Sequence, residues 1–318
     1  MNGSTVMVRD FVMRFGERTV IDHLSFDITS GETFGLLGSN GSGKTTTIRA
    51  LLGIADATSG TLEIDGARYR PGPNSRVGYL PEERGLYRKE TVLDVMTYFA
   101  RLRGMSGRDA TAWCLRYLDR VELGDKARLR VDKLSGGQQQ KVQLGLTIMD
   151  DPRLLILDEP TKGLDPVNRR LLLDLVDERK ADGATVILVT HQMDEVERLC
   201  DRILLLKNGT AEAYGTVPDV QDAFGGAVAK VLCTGVIPES PLYRLARHEG
   251  HVAYLAPTDQ AARDGSDILA SLIRSGVVVS GFEMRRIPLD EIFVQVYGHD
   301  AVEDERSGGT RQLAGSAR

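Results

Sequence analysis

The chain has 318 residues, too long for one small domain and in keeping with about two at roughly 150 residues each. Hydrophobic residues make up 42% and charged residues 27%, which excludes a largely disordered, collagen-like or disulfide-stapled chain. A net charge of −5 excludes the broad basic footprint that nucleic-acid binders carry.

In chain order, residues 33–37 predict a short strand that runs into a glycine-rich loop, with a helical segment starting near Lys44. Residues 61–65 and 77–80 are further strand candidates. From about 88 to 133 the pattern turns helical: Val92, Val95, Met96 and Phe99 recur at helical spacing, followed by Trp113, Leu115 and Leu118. The aromatic residues Tyr98, Phe99, Trp113 and Tyr117 are expected in the core. Residues 154–157 are wholly apolar, the mark of a strand buried on both faces. Residues 185–190 and 203–206 predict two more strands. Asn208-Gly209 is a hairpin signal that leads into a return strand over 210–214. The alternation reads as α/β.

Gly225-Gly226 marks a candidate boundary. Beyond it, strands are expected near 229–233, 252–255 and 277–282, with helices carrying Ile268, Leu269, Leu272 and Ile273 and spanning residues 289–297. This predicts a small α+β domain over 226–298. From 299 to 318 the chain is Gly-, Ser- and charge-rich, and disorder is expected there. Cys114, Cys200 and Cys233 form no CxxC pair, so reduced, mostly buried thiols are expected. No apolar run approaches the roughly 18 residues that span a bilayer, and the first residues do not read as a signal peptide.

Three motifs carry chemistry. Gly38-Ser39-Asn40-Gly41-Ser42-Gly43-Lys44-Thr45-Thr46 fits GxxxxGK[ST] between a strand and a helix. Its glycines let backbone N–H groups turn inward around a polyphosphate, and the helix aims its positive end at the same anion. Lys44 is placed to reach the β- and γ-phosphates, and the Thr45 hydroxyl to ligate Mg²⁺. Second, four apolar residues deliver Asp158 and Glu159 to a strand's C-terminal end, where ligands of open α/β sheets bind. Asp158 can hold magnesium through water, and Glu159 can orient and deprotonate an attacking water. Third, in Leu134-Ser135-Gly136-Gly137-Gln138, Ser135 is a good N-cap. Two glycines in a first turn cost helix stability, about 1 kcal/mol each relative to Ala. That cost is understandable where a phosphate must approach the backbone closely.

In this order and spacing the motifs resemble the ATP-binding subunit of ABC transporters, over roughly residues 5–225. The resemblance implies a P-loop NTPase fold: a RecA-like core, an antiparallel β subdomain and a helical subdomain at about 88–150. It implies that Phe15 stacks on adenine, that the Gly163-Leu164-Asp165 loop crosses to a second protomer, and that His191 contacts the γ-phosphate. It also implies ATP and Mg²⁺ as cofactors, Ser135 to Gln138 facing the partner's nucleotide, and a homodimer or a pair with a related ATPase. Two positions depart from the family pattern: Glu82 stands where Gln usually contacts the metal and the water, and Lys162 where many members have Ser. The stretch 78–87 and the closing Leu289-Asp290-Glu291-Ile292-Phe293 resemble ATPases paired with type-2 exporters of the sodium-efflux and drug-export kind. The implied partner is an integral-membrane permease, which would hold the chain at the cytoplasmic face of the membrane. The alternatives are a soluble ABC-type ATPase uncoupled from transport and a nucleotide-sensing subunit with little turnover.

Overall fold

The computed structural model describes residues 4–72, 76–83, 85–258, 260–261 and 264–298. The tail expected from 299 onward lies outside them. The chain divides into two compact units, Met1–Tyr214 and Gly215–Arg318.

The first unit opens with a long hairpin, β1 (Ser4–Phe15) and β2 (Arg18–Thr29). Then come β3 (Thr33–Leu37), α1 (Lys44–Leu51), β4 (Ser59–Ile64) and β5 (Val77–Leu80). Helices α2 (Val92–Leu102), α3 (Gly107–Arg120) and α4 (Gly136–Ile148) lead to β6 (Leu154–Asp158). Helix α5 (Pro166–Ala181), β7 (Thr185–Val189), α6 (Met193–Leu199), β8 (Arg202–Lys207) and all but the last two residues of β9 (Thr210–Thr216) complete it.

Strands β2-β1-β4 form an antiparallel sheet, and β5-β6-β7-β3-β8-β9 a second sheet. In the second sheet β5 pairs parallel with β6, β6 with β7, and β3 with both β7 and β8. Period-2 alternation sorts its side chains into two cores. Leu154, Ile156, Ile187 and Val189 pack with Phe11, Ile21, Phe26 and Phe34 on one side. Leu155, Leu157, Val186 and Leu188 pack with Val95, Met96, Leu118 and Leu172 on the other. Strands β6 and β7 are therefore buried on both faces, which is why their sequences are continuously apolar.

The hairpin signal at Asn208-Gly209 is realised: both residues have positive φ, 48° and 82°. The aromatic expectation needs correction. Only Tyr117 is in the core, and Tyr98 is 50% exposed. Helix α2 turns Val92, Val95, Met96 and Ala100 inward. That places Tyr98 on another face, where its ring meets Tyr87 edge-on at 6.0 Å. Phe99 and Trp113 are half-buried, and Trp113 stacks on Tyr117 at 5.4 Å.

The second unit contains α7 (Val217–Ala223), β10 (Ala227–Thr234), β11 (Tyr243–Glu249), β12 (Val252–Pro257), α8 (Ser266–Arg274), β13 (Val278–Arg286) and α9 (Leu289–Tyr297). Its strands form an antiparallel sheet in the order β11-β12-β10-β13. Ala229, Val231, Cys233, Ala253 and Leu255 from one face of that sheet pack with Ile268 and Leu272 of α8.

Candidate active site

The four neighbouring strands β5, β6, β7 and β3 run parallel, so their C-terminal ends deliver their loops to one rim. Strand β3 ends at Leu37 and feeds residues 38–46. Strand β5 is followed by Glu82, β6 ends at Asp158 and is followed by Glu159, and β7 is followed by His191.

The loop after β3 is shaped by close approach. A Cβ on Gly38 would stand 2.4 Å from Ser42 Oγ and 2.5 Å from Leu206 O. Gly41 and Gly43 have φ of 77° and 111°, which L side chains rarely adopt. Gly43 is the N-cap of α1 and supplies no side-chain cap, so the first-turn amides at Lys44, Thr45 and Thr46 are left for an outside acceptor. The Lys44 ammonium donates to Gly38 O at 2.7 Å and Ser39 O at 2.9 Å, folding over the loop. Ser42 Oγ is buried and has no partner.

Three carboxylates, Glu82, Asp158 and Glu159, share this rim and act electrostatically on Lys44. Burial, then the neighbouring charges of Glu82 and Glu159, push the Asp158 carboxyl up to about 6. Burial also lowers the Lys44 ammonium, while Glu159, Asp158 and Glu82 oppose that shift. Glu159 has a φ of 49° and donates its N–H to Val189 O at 2.8 Å. The His191 Nδ1–H donates to Glu159 Oε1 at 2.8 Å, a tautomer assigned because a carboxylate can only accept. The Gln192 amide then donates to His191 Nε2 at 3.2 Å. Glu159's hydrogen bond raises the His191 pKa above its ordinary value.

The structure thus brings together residues 38–46, Glu82, Asp158, Glu159 and His191. The other predicted residues lie in local settings of their own. Phe15 ends β1 and is 58% exposed. Ser135 caps α4 in a reciprocal capping box: its Oγ accepts from Gln138 N–H, and its N–H donates to Gln138 Oε1. Gly136 and Gly137 form that first turn. Asp165 caps α5, accepting from Val167 and Asn168 N–H.

Several supporting residues escaped the sequence reading. Glu195, 1% exposed, accepts from the Thr161 hydroxyl at 2.5 Å and from Arg169 Nε at 2.6 Å. This ties the loop after β6 to α5 and α6. On α4, Gln140 donates to Pro160 O, and Gln143 donates to Pro81 O and Glu83 O. In the sequence these polar positions look like an exposed helix face, so no local pattern marks them.

A phosphate loop on a parallel sheet, facing paired carboxylates at one rim, defines the class of P-loop ATPases. Residues 21–162 match the family described as ABC transporter. The chain is 44% identical to an uncharacterized ABC transporter ATP-binding protein of Methanocaldococcus jannaschii, over 68% of this chain and 79% of the relative. It is 42% identical to the Nod factor export ATP-binding protein I of Paraburkholderia xenovorans, over 63% of this chain and 67% of that one. Among solved structures it resembles the ATP-binding subunit of an ABC transporter, with a TM-score of 0.65 and 32% identity, over 70% of this chain and 94% of that one. The chain belongs to the ABC transporter family, as an ATP-binding and ATP-hydrolysing subunit.

Proposed function

We propose that the chain powers an exporter: two copies close around two ATP molecules and drive a separate membrane permease. The observation that carries this reading is the convergence of Lys44, Asp158, Glu159 and His191 on one rim, with His191 bonded to Glu159 at 2.8 Å. Backbone amides of residues 38–46 would bind the phosphates. Lys44 would exchange the carbonyls of Gly38 and Ser39 for phosphate oxygens. Phe15, exposed at its hairpin end, would stack on adenine. Glu159 would take the proton of the attacking water, a role worth about 10²- to 10⁴-fold. His191 would orient Glu159 and contact the terminal phosphate.

Thr45, Asp158 and Glu82 would hold Mg²⁺. Their hydroxyl and carboxylate oxygens are the hard donors this ion takes. Among the described residues no group of three or more His, Cys, Asp or Glu could hold a metal. Magnesium usually takes one or two carboxylates and completes its shell with phosphate and water. When bound, it would offset the charge of the phosphates and of the crowded carboxylates.

In the closed pair, Ser135, Gly136, Gly137 and Gln138 of one copy would face the nucleotide on the other, and Asp165 would lie at the crossing. Closure then follows from ATP binding the closed state more tightly than the open one. Among the described residues no helix is long and apolar enough to cross a membrane, so coupling would run through a permease at the cytoplasmic face. The word "export" in a relative's name supports the direction, as does the similarity of residues 78–87 to type-2 exporter ATPases.

The test is Glu159→Gln. It should keep ATP binding, lower turnover about 10²-fold or more, and accumulate an ATP-bound dimer on size exclusion. Hydrolysis at the parent rate would remove Glu159 as the base, and a chain that stays monomeric with ATP would remove the shared site.

A further inference from the structure

Glu82 and Lys162 are 80 positions apart in the chain, yet the Lys162 ammonium donates to Glu82 Oε1 at 2.6 Å. Both backbones are held in place. Gln143 of α4 donates to the carbonyls on either side of Glu82, Pro81 O at 3.4 Å and Glu83 O at 3.3 Å. The Lys162 N–H donates to Glu159 O at 3.2 Å, and its neighbour Thr161 is anchored on buried Glu195. The two side chains therefore meet across loops that other bonds have already placed.

The pair is a poor stabiliser of the fold. Lys162 and Glu82 are 59% and 43% exposed, and exposed ion pairs contribute little. Its setting is what matters. Glu82, Asp158 and Glu159 all act electrostatically on Lys44, so they share one small region with it. A triphosphate brought there adds further negative charge. Lys44 faces three carboxylates, Arg49 acts on Asp158, and a further cation offsets one of the other two. Lys162 is that cation, and its hydrogen bond selects Glu82.

We propose that Lys162 is a positioning residue: it neutralises Glu82 and holds that carboxylate beside the terminal phosphate of ATP without repelling it. This rests on the reading of residues 38–46 as the ATP cradle. The two departures from the usual family residues thereby become one compensated unit, a charged pair at positions where many members carry a neutral one.

The test is a double-mutant cycle in the full chain carrying Glu159→Gln, with fluorescent mant-ATP and Mg²⁺ as the probe. Lys162→Ser should weaken binding about three- to tenfold, because Glu82 then loses the cation bonded to it. Glu82→Gln alone, at a proposed Mg²⁺ ligand, is the reference for the double variant. Glu82→Gln with Lys162→Ser should bind within about twofold of Glu82→Gln alone, and Lys162→Arg should hold the parent affinity. Raising salt from about 0.05 to 0.5 M should narrow the Lys162→Ser deficit. A Lys162→Ser deficit as large in the Glu82→Gln background as in the parent, an unchanged Lys162→Ser, or a salt-independent deficit would overturn the pair. A parent that binds no mant-ATP would overturn the ATP reading and the pair with it. A parent that binds, together with an additive cycle, would remove the pair alone.

Discussion

Glu159 sits at a φ of 49°, a conformation that costs a non-glycine residue of the order of 1 kcal/mol or more. Its N–H is fixed on Val189 O and its carboxylate on His191, so neighbouring strands hold the strained turn. Strain of this kind gathers where a side chain must point in one direction for chemistry. Gly38 and Gly43 show the opposite solution, since no side chain fits at either. Gly43 combines a φ of 111° with an ideal Cβ position 2.3 Å from Ile21 Cδ1. Gly43→Ala should therefore lower stability by about 1–3 kcal/mol in urea denaturation. An unchanged midpoint would mean that β2 yields more easily than its packing indicates. At this scale the sequence was legible where the chemistry is contiguous: residues 38–46 and Asp158-Glu159 each fall in a single short window. The Glu82–Lys162 bond and the Thr161–Glu195 anchor join distant windows, and no local pattern announces them.

Helix α4 shows how one element serves several loops. Nearly all of its later residues are buried, polar ones included. Each buried polar side chain must then find a partner, because an unpaired one costs about 1–3 kcal/mol. Gln140 reaches Pro160 O, Lys141 reaches Val121 O, Gln143 reaches Pro81 O, and Thr147 reaches Tyr79 O. The helix that carries Ser135 at its start thus grips the ends of β5 and β6. Gly145 makes room for this by admitting the ring of Tyr117, whose hydroxyl donates to Lys141 O at 2.6 Å. A Cβ there would stand 2.3 Å from Tyr117 Cε1. Alanine favours a helix over glycine by about 1 kcal/mol, but overpacking costs about 1–3 kcal/mol and leaves the ring no free space. Gly145→Ala should accordingly unfold at lower urea and lose the near-ultraviolet signal of the Trp113–Tyr117 stack. A gain in stability would show that propensity outweighs packing here. Ser135 and the start of α4 were readable as a cap. The polar stripe was not, because it lacks the apolar periodicity that marks a core face. The β1–β2 hairpin escaped for a related reason. Asp10 and His23 adopt positive φ, at 49° and 51°, and the β1 register shifts between Val8 and Phe11, so the alternation breaks.

Across the molecule the apolar residues sort into separate cores, and the thiols follow them. Cys114 and Cys233 are buried and Cys200 is partly so, and none forms a disulfide. Burial pushes the Cys114 thiol up to about 11 and raises the other two as well. Since the thiolate is the reacting species, alkylation of Cys114 in the native chain at pH 8 should run about a hundredfold slower than for a free cysteine. All three should label in urea, as mass spectrometry would report. Rapid labelling of Cys114 in the native chain would contradict its packing between helices. The broad α/β layout was legible because fully apolar strands and glycine turns are local signals. The edge strand β11 was not, since six of its seven residues face solvent and no alternation survives.

Strand β6 bears a further consequence. Its odd-numbered side chains belong to one apolar cluster and its even-numbered ones to the other, and its last residue is Asp158. A single five-residue ribbon is thus mortared into both halves of the wall that supports the reacting groups. Loosening either half slackens the tether of Asp158 and Glu159, so under the roles proposed for these two carboxylates ATP hydrolysis and structural integrity should fail together.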